Sequence, residues 1–337
     1  MQSGDPNKAQ SKGKFQLNID TSSNKMDVED SKDKEKSQKL SSNPPQPTEE
    51  SILTTFCSIA SSQKNPLITI NSNQKKNKIY SYKKEYFDEL YQNLILDEIK
   101  FYQKINPNYM STQEKINDKM RAILVDWLIG LHYKLNLKKK TLFLCVFIID
   151  AFLSIINIPI EKLQLLGITS LLIACKQNEV EYTPLNTLLK FSDDFYTLEE
   201  LKNMEQIVLK KLSFDILAPT AEEFFEINAY NFQFTEIQKF FGEYFLDISL
   251  IDYYFLKYKQ STIAVACAYI VAKFFNLNGV HSILDNTSSE VNHHEVKDCV
   301  KHLLFLVKCL SKSSLENIKK KYMSDKYLNV AKLCEEN

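Results

Sequence analysis

Arg121 is the only arginine in a chain with 42 basic side chains, and it stands in KMRAILVDWL (119–128), a stretch otherwise almost wholly apolar. A guanidinium keeps its proton and is prohibitively costly to bury alone. It therefore needs a carboxylate, and its planar fork suits a bidentate one. The best partner is Asp150, the single charge within LFLCVFIIDAFLSIINIPI (142–160). The Arg121 and Asp150 pair is expected to lock two helices together, and removing one member of such a buried pair costs about 3 to 5 kcal/mol.

Other residues of reactive type form no comparable site. HHEVKDCVKH (293–302) has the residue types of a metal centre, but its spacing matches no zinc pattern and reads as a surface coincidence. Five of the seven cysteines, Cys145, Cys175, Cys267, Cys299 and Cys309, sit in apolar helical patterns without a C-x-x-C pair. That predicts reduced core thiols in an intracellular protein. With six glycines, no phosphate-binding loop and no nucleophile beside a base, the chain implies no enzyme, no cofactor and no metal.

The elements that carry Arg121 and Asp150 are predicted to be helices. The chain has 337 residues, 44% hydrophobic and 25% charged, which suits two folded units and an unfolded segment. Residues 1–80 are rich in Ser, Lys, Asp, Asn, Gln and Pro, so a disordered tail is expected there. From Tyr86 onward apolar residues recur at spacings of three and four, first in YFDELYQNLILDEIKFY and then through TLEELKNMEQIVLKKL. LAPT (217–220) breaks the run, because Pro219 disfavours helix before it and Thr220 can cap the next helix. A second run of helices follows, and GITSLLIACK (167–176) aligns with AVACAYIVAK (264–273), with small and apolar positions matched and Lys176 over Lys273. Nothing alternates like a strand pair. The expected fold is all-α: a short leading helix and first bundle over 81–217, and a second bundle over 218–337.

Two other classes are disfavoured. The run 142–160 is long enough to span a bilayer, but Asp150 near its centre would cost roughly 2.5 to 3.5 kcal/mol, so a buried helix is expected and no membrane partner. The opening MQSGDPNKAQ is polar, unlike a secretory signal. Net charge is zero and the lysines are dispersed, which argues against a nucleic-acid surface; KKK at 138–140 and 319–321 is expected in solvated helix ends or loops.

On the helix that carries Arg121, Met120, Ile123, Leu124, Trp127 and Leu131 share one stripe, while Ala122, Val125 and Ile129 share another. One apolar face should enter the core. The other either packs a neighbouring element or stays partly open as a groove for a partner peptide.

MRAILVDWL, HYKLNL, TLFLCVFIIDAFLS, KLQLLGITSLLIACK and MEQIVLKKLSFDILAPT resemble the cyclin box of an A/B-type, mitotic cyclin, with LAPT at the hinge into a second repeat. The resemblance covers residues 85 to about 330 and implies two tandem five-helix bundles. It implies a regulatory subunit, in nucleus and cytoplasm, that binds and activates a cyclin-dependent protein kinase and does no chemistry itself. Lys176 and Glu205 match the family's kinase-binding Lys and Glu. Ile173, Leu209, Phe214 and Ile216 match its pocket for a side chain of the kinase C-helix. Met120, Ile123, Leu124 and Trp127, with Leu163 and Gln164, match the groove that docks substrate or inhibitor peptides; core packing competes more for Ile123 than for an exposed Trp127.

The chain departs from the family pattern at several positions. Gly130 replaces the acid or amide that meets a docking peptide's basic side chain. Gln177 and Asn178 replace the aromatic and first acid after the kinase-binding Lys, leaving Glu179, and Ala151 replaces the basic residue after Asp150. The only R-x-x-L match is R-A-I-L at Arg121, and no K-E-N occurs. A second reading is a transcription adaptor of the TFIIB type, which shares the tandem fold, but the tail's single Cys57 and the neutral charge supply neither zinc ribbon nor basic face.

Overall fold

The computed structural model describes residues 79–101, 104–181, 183–277, 291–310 and 313–335. The tail expected over 1–80 lies outside them, apart from Ile79 and Tyr80, which open the first helix. Helix α1 spans Ile79–Phe101. The first bundle follows as α2 (Asp118–Lys134), α3 (Lys139–Leu153), α4 (Leu163–Asn178), α5 (Leu185–Lys190) and α6 (Leu198–Lys211). The second comprises α7 (Ala221–Asn231), α8 (Glu236–Ile251), α9 (Gln260–Phe274), α10 (His293–Leu310) and α11 (Asn317–Tyr322), and a last turn, α12, spans Lys332–Glu335. No strand occurs among the described residues.

Local chemistry sets the helix starts. Asn117 accepts the Met120 N–H (3.0 Å) and so caps α2. Thr197 and Thr220 each form a capping box with the Glu three residues on, which begins α6 and α7. Thr220 thereby performs the role read from LAPT. In α4 every residue from Leu163 to Cys175 is buried, and in α9 nearly every residue is. The matched pair GITSLLIACK and AVACAYIVAK therefore supplies the central helix of each bundle. Small residues permit this: a Cβ on Gly167 would come within 2.8 Å of Leu124 Cδ1.

Helix α3 ends at Leu153, so the apolar run 142–160 is cut short by Ser154 and the loop after it. No helix among the described residues is long and apolar enough to cross a membrane.

Two expectations fail. KKK does not mark solvated ends throughout, because Lys321 is fully buried and donates to Asp247 (2.6 Å), and the Lys139 ammonium is buried against Glu243. Lys321 and Lys139 turn inward because each ammonium meets a buried carboxylate of α8, Asp247 and Glu243 respectively. Cys309 is exposed, since it lies on the outward face of α10 one turn after exposed Phe305. Cys145, Cys175, Cys267 and Cys299 are buried, and burial raises each thiol pKa, that of Cys175 to about 12.

Candidate functional site

Arg121 and Asp150 meet as the sequence predicts. Arg121 Nε donates to Asp150 Oδ1 and a terminal nitrogen donates to Oδ2, both at 2.7 Å, with both side chains buried. Burial alone would lower the guanidinium pKa, but the carboxylate outweighs it and holds the group charged. The pair does more than join α2 to α3. The other terminal nitrogen donates to the Leu250 and Ile251 carbonyls (2.9 and 3.2 Å) at the end of α8, and Tyr109 Oη donates to Asp150 Oδ1 (2.7 Å). One arginine therefore satisfies orphan carbonyls of the second bundle while pinning two helices of the first.

Asp126, five residues beyond Arg121 on α2, makes the reciprocal joint. It is buried and accepts N–H groups from Asn317 (3.2 Å) and Ile318 (3.1 Å) and the Asn317 amide (2.9 Å), closing the start of α11. Gly130 makes this approach possible: a Cβ there would lie 2.5 Å from Asn317 Oδ1. Sequence reasoning missed Asp126 and Tyr109. An acid inside VDWL was the same signal that exposed Asp150.

Lys176, in the last turn of α4, and Glu205, mid-way along α6, are brought together: Lys176 Nζ donates to Glu205 Oε1 at 2.6 Å. Ile173 is buried one turn before Lys176, and Leu209 is half-buried one turn after Glu205. Beyond α6, Ser213 and Phe214 adopt left-handed backbone (φ 53° and 58°), and the Phe214 N–H donates to the Leu209 carbonyl at 2.9 Å. This turn leaves the Phe214 ring 67% exposed, and Ile216 then returns to the core. Glu179 fixes the end of α4: it accepts from Lys138 N (2.8 Å) and Thr141 Oγ (2.5 Å) at the start of α3, and Lys138 Nζ donates to the Asn178 carbonyl (2.7 Å). Exposed Phe214 and half-buried Leu209 thus lie at the end of the helix that carries Glu205.

On α2, Met120, Ile123 and Trp127 are half-buried, while Leu124, Leu163 and Gln164 are buried. Trp127 is thus less open than expected, because its ring packs against the core. Gln164 Nε2 is buried with no hydrogen-bond partner. No cluster of His, Cys, Asp and Glu among the described residues could hold a metal ion.

Comparison with known proteins bears directly on this arrangement. Residues 89–217 match the family model for the cyclin N-terminal domain and residues 219–336 that for the cyclin C-terminal domain. The G2/mitotic-specific cyclin-2 of Medicago sativa is 32% identical over 255 residues, covering 74% of this chain and 76% of that protein. The chain belongs to the cyclin family. Cyclin-B2-2 of Oryza sativa subsp. indica is 34% identical over 257 residues, or 74% of this cyclin, which spans 59% of that relative's length. A viral cyclin from herpesvirus saimiri shares the fold at a TM-score of 0.56 and 23% identity, over 64% of this chain and 97% of the viral one. Both matched domains are cyclin domains, and nothing in these findings supports the transcription-adaptor reading.

Proposed function

We propose that this cyclin is the regulatory subunit of a cyclin-dependent protein kinase and acts in cell division, in nucleus and cytoplasm. The observation that carries the reading is the Lys176–Glu205 pair, held across two helices beside Ile173, Leu209, Phe214 and Ile216. In the proposed complex these two charges clasp the kinase C-helix, and the apolar residues accept one of its side chains. The cyclin contributes affinity for the active kinase conformation, which is all a partner can contribute to such a shift. Catalysis belongs to the kinase, with no cofactor on the cyclin. The half-open strip of Met120, Ile123 and Trp127, floored by Leu124, Leu163 and Gln164, is the proposed groove for substrate or inhibitor peptides.

The test is co-purification with the kinase followed by a histone phosphorylation assay. Exposed ion pairs contribute about 0 to 1 kcal/mol to folding, so Lys176→Ala with Glu205→Ala is expected to abolish activation without unfolding the chain. Full activation by that double variant refutes the assignment.

A further inference from the structure

The half-open strip on α2 has an uncharged face and a polar end. Met120, Ala122, Ile123, Trp127 and Tyr133 are its half-buried residues, while the charged Arg121 and Asp126 are turned inward and buried. Viewed down the helix, Gly130 lies within about 20° of Ile123 and about 60° of Trp127, so it ends the same line. Gly130 carries no side chain, and the second bundle fills the space: a Cβ there would lie 2.5 Å from Asn317 Oδ1 and 2.7 Å from Asn317 Cγ.

Asn317 is fixed there by α2 itself. Its backbone N–H and its Nδ2 both donate to Asp126 Oδ2, at 3.2 and 2.9 Å. An ionised carboxylate only accepts, so the nitrogen of this amide must face Asp126 and its oxygen must face Gly130. Asn317 is half-buried, and its exposed neighbour Glu316 is paired with Lys320 at 2.5 Å. The strip therefore ends at a neutral acceptor supplied by the other bundle.

We propose that Asn317 Oδ1 sets the specificity of this strip: it accepts a hydrogen bond from an uncharged donor of a docked peptide whose apolar anchor lies on Met120, Ile123 and Trp127. The inference rests on the groove reading of that strip, and it makes the groove a site completed by the second bundle. Ile123 and Gly130 are seven residues apart, about 10 Å along the helix, and an extended peptide advances about 3.3 Å per residue. The donor thus stands about three residues from the anchor. A cationic side chain gains little there, because an amide oxygen offers no counter-charge.

Trp127 is the only tryptophan of the chain, so its fluorescence reports occupancy of the strip. The full chain is titrated with synthetic peptides containing Gln-Ala-Ala-Leu or Leu-Ala-Ala-Gln, and with the same peptides carrying norleucine or Arg in place of Gln. In the better-bound direction the Gln peptide is expected to bind about two- to tenfold more tightly than the norleucine peptide, the range of one neutral hydrogen bond, and no more weakly than the Arg peptide. In Asn317→Ala the advantage of Gln should vanish while affinity for the norleucine peptide is unchanged, which also shows that the variant folds. Equal binding of the Gln and norleucine peptides by the wild type overturns the inference and needs no variant. So does an Arg peptide bound more than about tenfold tighter than the Gln peptide, which assigns the contact to a carboxylate such as that of Glu316. The groove reading survives either result, because the norleucine peptide still binds. If no peptide shifts the Trp127 emission, the groove reading and the inference fall together.

Discussion

Replacing Asp150 by Asn preserves side-chain shape and removes the charge that holds Arg121. The carboxylate accepts three hydrogen bonds of 2.7 Å, from two guanidinium nitrogens and from Tyr109. In the variant one amide oxygen can still accept, but the amide nitrogen faces a guanidinium donor, and a buried cation loses its counter-charge. Breaking one side of such a pair costs about 3 to 5 kcal/mol. For a folded unit of this size, each kcal/mol shifts the midpoint by about 2 to 4 °C, so a fall of roughly 6 to 20 °C is expected in thermal unfolding. The double change Arg121→Met with Asp150→Leu removes both charges and should be less destabilised than Asp150→Asn, because no ion is left stranded. Arg121 also binds the Leu250 and Ile251 carbonyls; Arg121→Lys, which cannot reproduce that fork, should loosen the second bundle as well as the first. Urea unfolding of the full chain followed by circular dichroism measures each variant. Asp150→Asn within about 0.5 kcal/mol of wild type, the range of an ordinary surface change, refutes the reasoning.

A pH effect should arise from His132, whose burial pushes its pKa down from 6.5 to about 3. The unfolded chain takes up a proton below 6.5 that the folded chain refuses, so stability is lost as pH falls from 6.5 toward 3, by about 1.4 kcal/mol at pH 5.5. Burial of Glu222, which raises its pKa to about 7, acts with opposite sign between 7 and 4.5, so the check is the difference in urea midpoints between wild type and His132→Asn at pH 7.5 and 5.5. Glu179→Ala removes the acceptor of the exposed Lys138 N–H and the part-buried Thr141 hydroxyl, at 2.8 and 2.5 Å, a net cost of about 0.5 to 1.5 kcal/mol. If Glu179 positions Lys176, kinase affinity should fall in that variant and return in Glu179→Gln, which restores an acceptor; calorimetric titration reads both.

How far the sequence reached follows from what periodicity can encode. A 3.6-residue repeat reports which face of a helix is apolar, so the tandem bundles, the central helices and the LAPT junction were legible. Charges inside apolar runs were legible too, since burial forces a partner, and Arg121 and Asp150 could be paired before any coordinates. Periodicity does not name the neighbour across a face. The carbonyls that Arg121 also reaches and the start of α11 capped by Asp126 lie in the other bundle, more than a hundred residues away, and the acid that neutralises Lys321 lies on α8 of the same bundle, 74 residues earlier. Lys321 was misplaced for a related reason, because a run of like residues hides the single member that turns inward.

Those long-range contacts share a location, since Arg121 and Asp126 of α2 join α8 and α11 through buried charge. Apolar faces can slide past one another at small cost, but a buried charge that bonds backbone groups across the junction tolerates only one register, and displacing it leaves those bonds unmade. The two bundles are therefore held at one mutual angle by electrostatics as well as by packing. That angle also sets the linker 217–220 against α1 and α4, where Phe214, Leu217 and Lys176 face outward. A surface assembled from both ends of one rigid joint loses little conformational entropy on binding. In the proposed kinase complex the Arg121 joint would therefore contribute to affinity without touching the partner, and Arg121→Lys is expected to weaken kinase binding in calorimetric titration.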